Sequence, residues 1–223
     1  MSDDSFIREV DEELRSDQVK NFWDKYKWLV IGGAVAVVVA TAGYRGWSSY
    51  SEKVAGESGD RFIEAVALSN DGKHDEAIMV LEALGKDGVG EYPALASIRL
   101  AAEYAKQGEI DKAVQAFDGI ASDSGFDETL RNVARLRSGL ILVDHGTYEE
   151  VVNRLQSMAN TGQPFRHSSR EGLGLSAWKN KKYEDAHRWF TAVTEDAQAP
   201  AGVRSRANIM LELLAGKGIT GSV

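Results

Sequence analysis

Four stretches of this chain can be laid over one another: "NDGKHDEAIMVLEAL" from Asn70, "KQGEIDKAVQAFDGI" from Lys106, "DHGTYEEVVNRLQSM" from Asp144 and "NKKYEDAHRWFTAV" from Asn180. Gly72, Gly108, Gly146 and Lys181 share the first column, separated by 36, 38 and 35 residues. His74, Ile110, Tyr148 and Tyr183 follow two residues on. Three later come Ala77, Ala113, Val151 and Ala186, and four after those Leu81, Phe117, Leu155 and Phe190. A period held over four copies calls for a stack of like units, each burying its apolar face against the next.

The period, with a turn followed by a small residue and a large one, resembles the tetratricopeptide repeat, a helix-turn-helix unit. The resemblance gives each column a physical meaning. Ala65, Ala101, Gly139 and Gly174 on the first helices face the small column on the second helices, so that backbones approach closely. The large column fills the space between units, and the ring or Ile column covers the turn. Pro93, Pro164 and Pro200, 71 and 36 residues apart, fall between a second helix and the next first helix, where proline is harmless. Two departures stand out. Arg61, Ser97, Arg135 and Arg170 occupy the place of a usual large residue, and extra residues surround "SDSGFDE", so looser packing or altered curvature is expected. A last helix from about Gly202 to Leu214 reads as the cap. The fold class is therefore all-α: an N-terminal transmembrane helix, then a solenoid of about four such repeats plus a capping helix.

The transmembrane assignment rests on "WLVIGGAVAVVVATAGYRGW", Trp28 to Trp47. Trp28 to Tyr44 is free of charge for 17 residues, the lower edge of what spans a bilayer. Leu29, Val30, Ile31, Val35, Val37, Val38 and Val39 supply about −2 to −4 kcal/mol of insertion energy. Trp23, Tyr26 and Trp28 at one end, with Tyr44, Trp47 and Tyr50 at the other, form aromatic belts suited to both interfaces. Lys25, Lys27 and Arg45 can snorkel outward. Ala40-Thr41-Ala42 also carries the small-x-small pattern of a signal peptidase site, which makes a secreted soluble protein cleaved after Ala42 the alternative. Against it, the 27 preceding residues hold eight acids and five bases, whereas signal n-regions are short and positive. A buried helix is the third reading. Arg15, Lys20, Lys25 and Lys27 before the span, against Arg45, Lys53 and Arg61 after it, place the N-terminus inside and the following domain outside the cytoplasm. Ile7, Val10, Leu14, Val19, Phe22, Trp23 and Tyr26 recur at helical spacing, as in an amphipathic helix. The expected divisions are a cytoplasmic tail over 1–27, a span over 28–47, a linker over 48–57, the repeat domain over 58–215 and a frayed tail over 216–223.

A net charge of −8 disfavours nucleic acid, and the absence of cysteine removes disulfides and thiolate chemistry. His74, His145, His167 and His187 have no metal-ligand spacing, and Gly172-x-Gly174 lacks the strand of a phosphate loop. Asp123, Asp127 and Glu128 lack the spacing of a calcium loop and suit a capped turn. No cofactor, metal or catalytic site is expected, and the chain does not read as an enzyme. Arg166, His167, Arg170, Lys179, Lys181, Lys182 and Arg188 make the fourth unit basic, as a solvated face or as a site for an acidic protein or anionic lipid. In the repeat family the first helices line a concave groove. By position the lining is Phe62, Val66, Asn70, Leu95, Ile98, Lys106, Leu136, Leu140, Asp144, Leu175, Trp178 and Lys179, either a binding groove for a segment of another protein or core between helices.

A closer likeness rests on Phe22-Trp23, Gly43, Gly46-Trp47 and Tyr50 around the span, and on Tyr92, Ala94-Leu95-Ala96-Ser97 and Leu100-Ala101 in the second unit. These residues resemble the YfgM-like family of bacterial inner-membrane proteins, the ancillary subunits of the SecYEG translocon. That resemblance implies a periplasmic domain whose partners are translocon subunits, periplasmic chaperones or client chains. A scaffold for another envelope assembly, such as cytochrome maturation or cell-wall machinery, is the alternative.

Overall fold

The computed structural model describes the backbone of residues 3–220 and the side chains of 23 and 25–220. Every regular element among the described residues is helical. In chain order they are α1 (Asp3–Asn70), α2 (His74–Asp87), α3 (Tyr92–Lys106), α4 (Ile110–Ser122), α5 (Glu128–His145), α6 (Tyr148–Leu155), a 3-10 turn (Ser157–Ala159), α7 (Arg166–Lys179), α8 (Tyr183–Thr194) and α9 (Ala201–Ala215). The chain divides into two compact units, Met1–Gly56 and Glu57–Val223.

In the first unit, the part of α1 from Lys25 onward includes the one window among the described residues that is long and apolar enough to cross a membrane. None of that window is buried. Val37, Val38 and Val39 are 66, 67 and 64% exposed, and the six belt aromatics are exposed as well. At 1.5 Å per residue the charge-free run is about 26 Å long, close to a hydrocarbon core. A side-chain methyl at Gly32 or Gly33 would meet nothing. The expected linker 48–57 is helical and continues α1. How Ile7, Val10, Leu14, Val19 and Phe22 face lies outside the described residues.

In the second unit the periodic columns are where the burial is. Ala65, Ala77, Ala101, Ala113, Val151 and Ala186 are fully buried, as are Leu81, Leu155 and Phe190, with Phe117 nearly so. Four core clusters follow one another along the chain, the first around Leu81 and Leu84, the last around Phe190 and Leu214. A Cβ on Gly139 would stand 2.4 Å from Leu155 Cδ2, and one on Gly174 would stand 2.8 Å from the Phe190 ring. Glycine at these two places lets the large residue of the second helix press against the first helix's backbone.

Three of the four turns share one design. Gly72 (φ 78°), Gly108 (φ 80°) and Lys181 (φ 60°) are left-handed, and the next amide bonds back five residues: Lys73 to Leu68, Glu109 to Tyr104 and Lys182 to Ala177, at 2.9, 2.9 and 2.8 Å. Lys181 adopts this conformation with a Cβ, which is unfavourable for an L-residue. The third turn differs. Gly146 has φ −114°, and its Cβ would sit 2.8 Å from Leu142 Cδ2, so glycine serves close approach there. Thr147 and Glu150 then start α6 with a reciprocal capping box.

The arginines in place of the expected large residue leave no loose gap. Arg135 donates to the Ala121 carbonyl at 3.3 Å. Arg170, almost buried, donates to Ala159 O and Ala192 O at 2.8 and 2.9 Å. Each guanidinium satisfies backbone at the end of a neighbouring helical segment, which replaces apolar fill with polar closure. The inserted loop is a capped turn: Asp123 accepts from Gly125 N at 2.8 Å, and Asp127 caps α5 through Leu130 N at 3.0 Å. Pro93 lies in the first turn of α3, Pro164 just before α7, and Pro200 at the N-cap of α9. Beyond α9, Gly218 turns the chain back and Ile219 packs against the last cluster.

Candidate functional site

The first helices of the second and third units carry matching amphipathic stripes. On α3, Leu95, Ile98, Arg99, Ala102, Ala105 and Lys106 recur at three- and four-residue spacing. On α5 the stripe is Arg137, Leu140, Ile141, Asp144 and His145. With Phe62 from α1 and Ile110 and Phe117 from α4, they line an open cleft of about 670 Å³. Its walls are mainly apolar, its polar groups stand on the rim, and its size suits a few side chains of a partner rather than a folded domain.

One side of the cleft is stiffened by a buried acid. Glu103 is fully buried on α3 and gathers four groups: Ser69 Oγ at 2.7 Å, Arg99 Nε at 2.8 Å, His74 Nδ1 at 2.9 Å and Lys106 Nζ at 3.1 Å. Burial raises its pKa, but the hydrogen bonds from Ser69, His74 and Lys106 and the Arg99 charge outweigh that and hold it below the usual value. Lys106 and Arg99 also donate to Ser69 Oγ, both at 2.8 Å. This cluster ties together the ends of α1 and α2 and the body of α3.

Of the twelve groove positions expected from the repeat pattern, Phe62, Leu95, Ile98, Lys106, Leu140 and Asp144 meet in the cleft. None of the twelve is fully buried, and Leu95 and Leu175 are 42 and 36% exposed. The other six lie elsewhere. Leu136 packs against the third core cluster, around Leu155 and Leu173. Trp178 packs against the last cluster, with the Tyr183 ring at 5.3 Å and the Lys217 ammonium at 5.6 Å from its centroid. Lys179 donates to the carbonyls of Val143 and Asp144, joining α7 to the end of α5. Val66 is half-buried and Asn70 exposed, neither in the cleft.

Positional transfer overlooked Arg99, Arg137, Ile141 and His145, although their three- and four-residue spacing from Leu95, Leu140 and Asp144 marks the same faces. Ile110 and Phe117 were assigned to turn and core columns, and they reach the cleft as well.

The basic fourth unit is mostly paired internally. Asp196 receives Arg166 at 2.8 Å, His167 at 3.0 Å and Arg170 at 3.1 Å. Hydrogen bonds from Arg166, the Gln198 amide and His167 hold its carboxyl well below the usual range against some desolvation. Lys182 meets Glu149 at 2.8 Å, and Arg188 meets Asp185 at 2.7 Å. His187 lies 3.4 Å from Thr191 Oγ1. Among the described residues no group of three His, Cys, Asp or Glu side chains could hold a metal ion.

A family model described as a tetratricopeptide repeat-like domain matches residues 20–215. Among characterised proteins, the ancillary SecYEG translocon subunit of Escherichia coli (strain K12) is 28% identical over 186 residues, covering 83% of this chain and 88% of that protein. No solved structure matches the chain.

Proposed function

The chain belongs to the tetratricopeptide repeat-like domain family, and from that premise we propose that it is a membrane-anchored scaffold that serves the Sec translocon as an ancillary subunit. Residues 28–47 span the inner membrane, with Trp23, Tyr26 and Trp28 at one interface and Tyr44, Trp47 and Tyr50 at the other. The N-terminal tail is cytoplasmic and the domain from residue 58 is periplasmic. There it holds segments of translocon subunits, periplasmic chaperones or emerging secreted chains.

The observation that carries this reading is the open, apolar-walled cleft formed by Phe62, Leu95, Ile98 and Leu140, in a chain that also carries an unburied apolar run. An apolar cleft on a soluble face is a place for another protein's side chains. The likeness to an ancillary SecYEG translocon subunit supports the choice of partner. The role is binding and not catalysis, because the cleft gathers apolar walls and cationic heads without a nucleophile–base pair.

Photo-cross-linking in living bacterial cells from a probe residue at Leu140, read by mass spectrometry, tests the assignment. Adducts to translocon subunits or secreted chains are expected. Adducts to a different envelope complex alone would move the scaffold to that assembly. N-terminal sequencing of the mature protein beginning at Gly43 would replace the anchored protein by a secreted one.

A further inference from the structure

Arg99 on α3 and Arg137 on α5 hold equivalent places, each two residues before the small residue, Ala101 or Gly139, that contacts the second helix. Both line the cleft. One turn further along α3 stands Glu103, whose carboxylate is 2.8 Å from Arg99 Nε. One turn further along α5 the acid is replaced by Ile141, itself part of the cleft wall. Arg137 is exposed and has no ion-pair or hydrogen-bond partner among the described residues. In an acidic chain whose first-helix arginines at 61, 99, 135, 166 and 170 all have partners, an unpartnered guanidinium beside an apolar wall is a docking point with one charge left to satisfy.

We propose that the cleft selects an acidic, apolar segment: its leucine-like side chains enter between Leu95, Ile98 and Leu140, and a side-chain carboxylate of that segment pairs with Arg137. This rests on the reading of the cleft as a protein-binding groove and adds the chemistry of what enters it. Charge complementarity decides the occupant. A carboxylate can supply to Arg137 what Glu103 supplies to Arg99, as a bidentate, charge-assisted pair. A lysine or arginine in the segment would meet a like charge.

The full-length protein in detergent micelles is titrated against fluorescein-labelled acetyl-Leu-Leu-Asp-Leu-Leu-amide, its twin with Asn in place of Asp, and a third with Lys, by fluorescence anisotropy. Blocked ends make the tested carboxylate a side chain's. The Asp peptide should bind about tenfold more tightly than the Asn twin. Arg137→Gln should bring the Asp peptide down to the twin's affinity and leave the twin unchanged, and Arg137→Glu should transfer the preference to the Lys peptide. Thermal melts followed by circular dichroism accompany both variants, and Arg137→Lys, which keeps the charge, should keep part of the preference. Equal binding of the Asp and Asn peptides, or a loss by Arg137→Gln that is the same for both, overturns carboxylate selection while leaving an apolar groove. If no peptide binds, the selection is overturned too. If Leu140 then also gives no cross-links, the groove reading falls with it.

Discussion

Valine does opposite things in the two units of this molecule. Val37, Val38 and Val39 of α1 stand about two-thirds exposed, whereas Val151 and Val193 in the repeat domain are fully buried. Both sets are helical, so backbone preference does not separate them. What differs is who supplies the apolar surroundings. In the repeat domain the neighbours come from the chain itself, from a helix about 36 residues away. For the α1 segment the protein offers nothing, and burial of three adjacent valines on all sides of one helix requires a solvent as apolar as they are.

That contrast can be broken from either side. Ala113→Arg should have the largest effect: a long cation at a fully buried contact costs about 4 kcal/mol or more. Circular dichroism should show cooperative melting lost from the repeat domain, while alkaline carbonate still leaves the chain in the membrane pellet. Val38→Arg should do the converse. About 3 kcal/mol set against a span worth about −2 to −4 kcal/mol should send most of the protein to the carbonate supernatant with an unchanged melt. If one substitution disturbs both readouts, the two kinds of burial are not independent.

Gly139→Ala sharpens the comparison within the repeat domain. Its methyl would overlap the fully buried Leu155, and a loss of about 1 to 3 kcal/mol is expected in urea melts. The same change at Gly32, where nothing stands nearby, should leave them unaltered. Acid tests the polar links between units. Glu103 and Asp196 both have pKa values lowered in the fold. A carboxylate of that kind stabilises at pH above its unfolded value, near 4, and stops doing so as pH falls toward the folded one. Melting temperature should therefore drop below about pH 4, and Glu103→Gln should blunt the drop. The smallest change is Lys181→Gly, which relieves the left-handed backbone at φ 60° and should raise stability by under about 1 kcal/mol, since glycine also gives the unfolded chain more freedom.

Much of the repeat domain was legible because its burial is periodic. The columns of Ala77 and of Leu81 recur at fixed distances, and every member is fully or nearly buried. The third turn broke the pattern: Gly146 looks like Gly72 and Gly108 in sequence, yet it serves the close approach of Leu142 and not a left-handed bend. The candidate site was half visible. Leu95, Ile98 and Leu140 follow from their spacing, whereas the difference between Arg99 and Arg137 depends on one acid at position 103 and on its four partners, which come from three helices. Links of that kind span about 30 residues and occur once, so no periodicity announces them. Trp178 was expected in the groove for its size, but the same size made it useful as packing for Tyr183 and the last cluster.

The stepwise contacts of the second unit, each helix touching the next and α5 and α7 touching the following first helix, have a mechanical consequence. No keystone holds the whole, so force applied between the lipid-held end and a captured chain should peel the stack one hairpin after another. A tether of this build gives way in instalments, lengthening under load before it lets go.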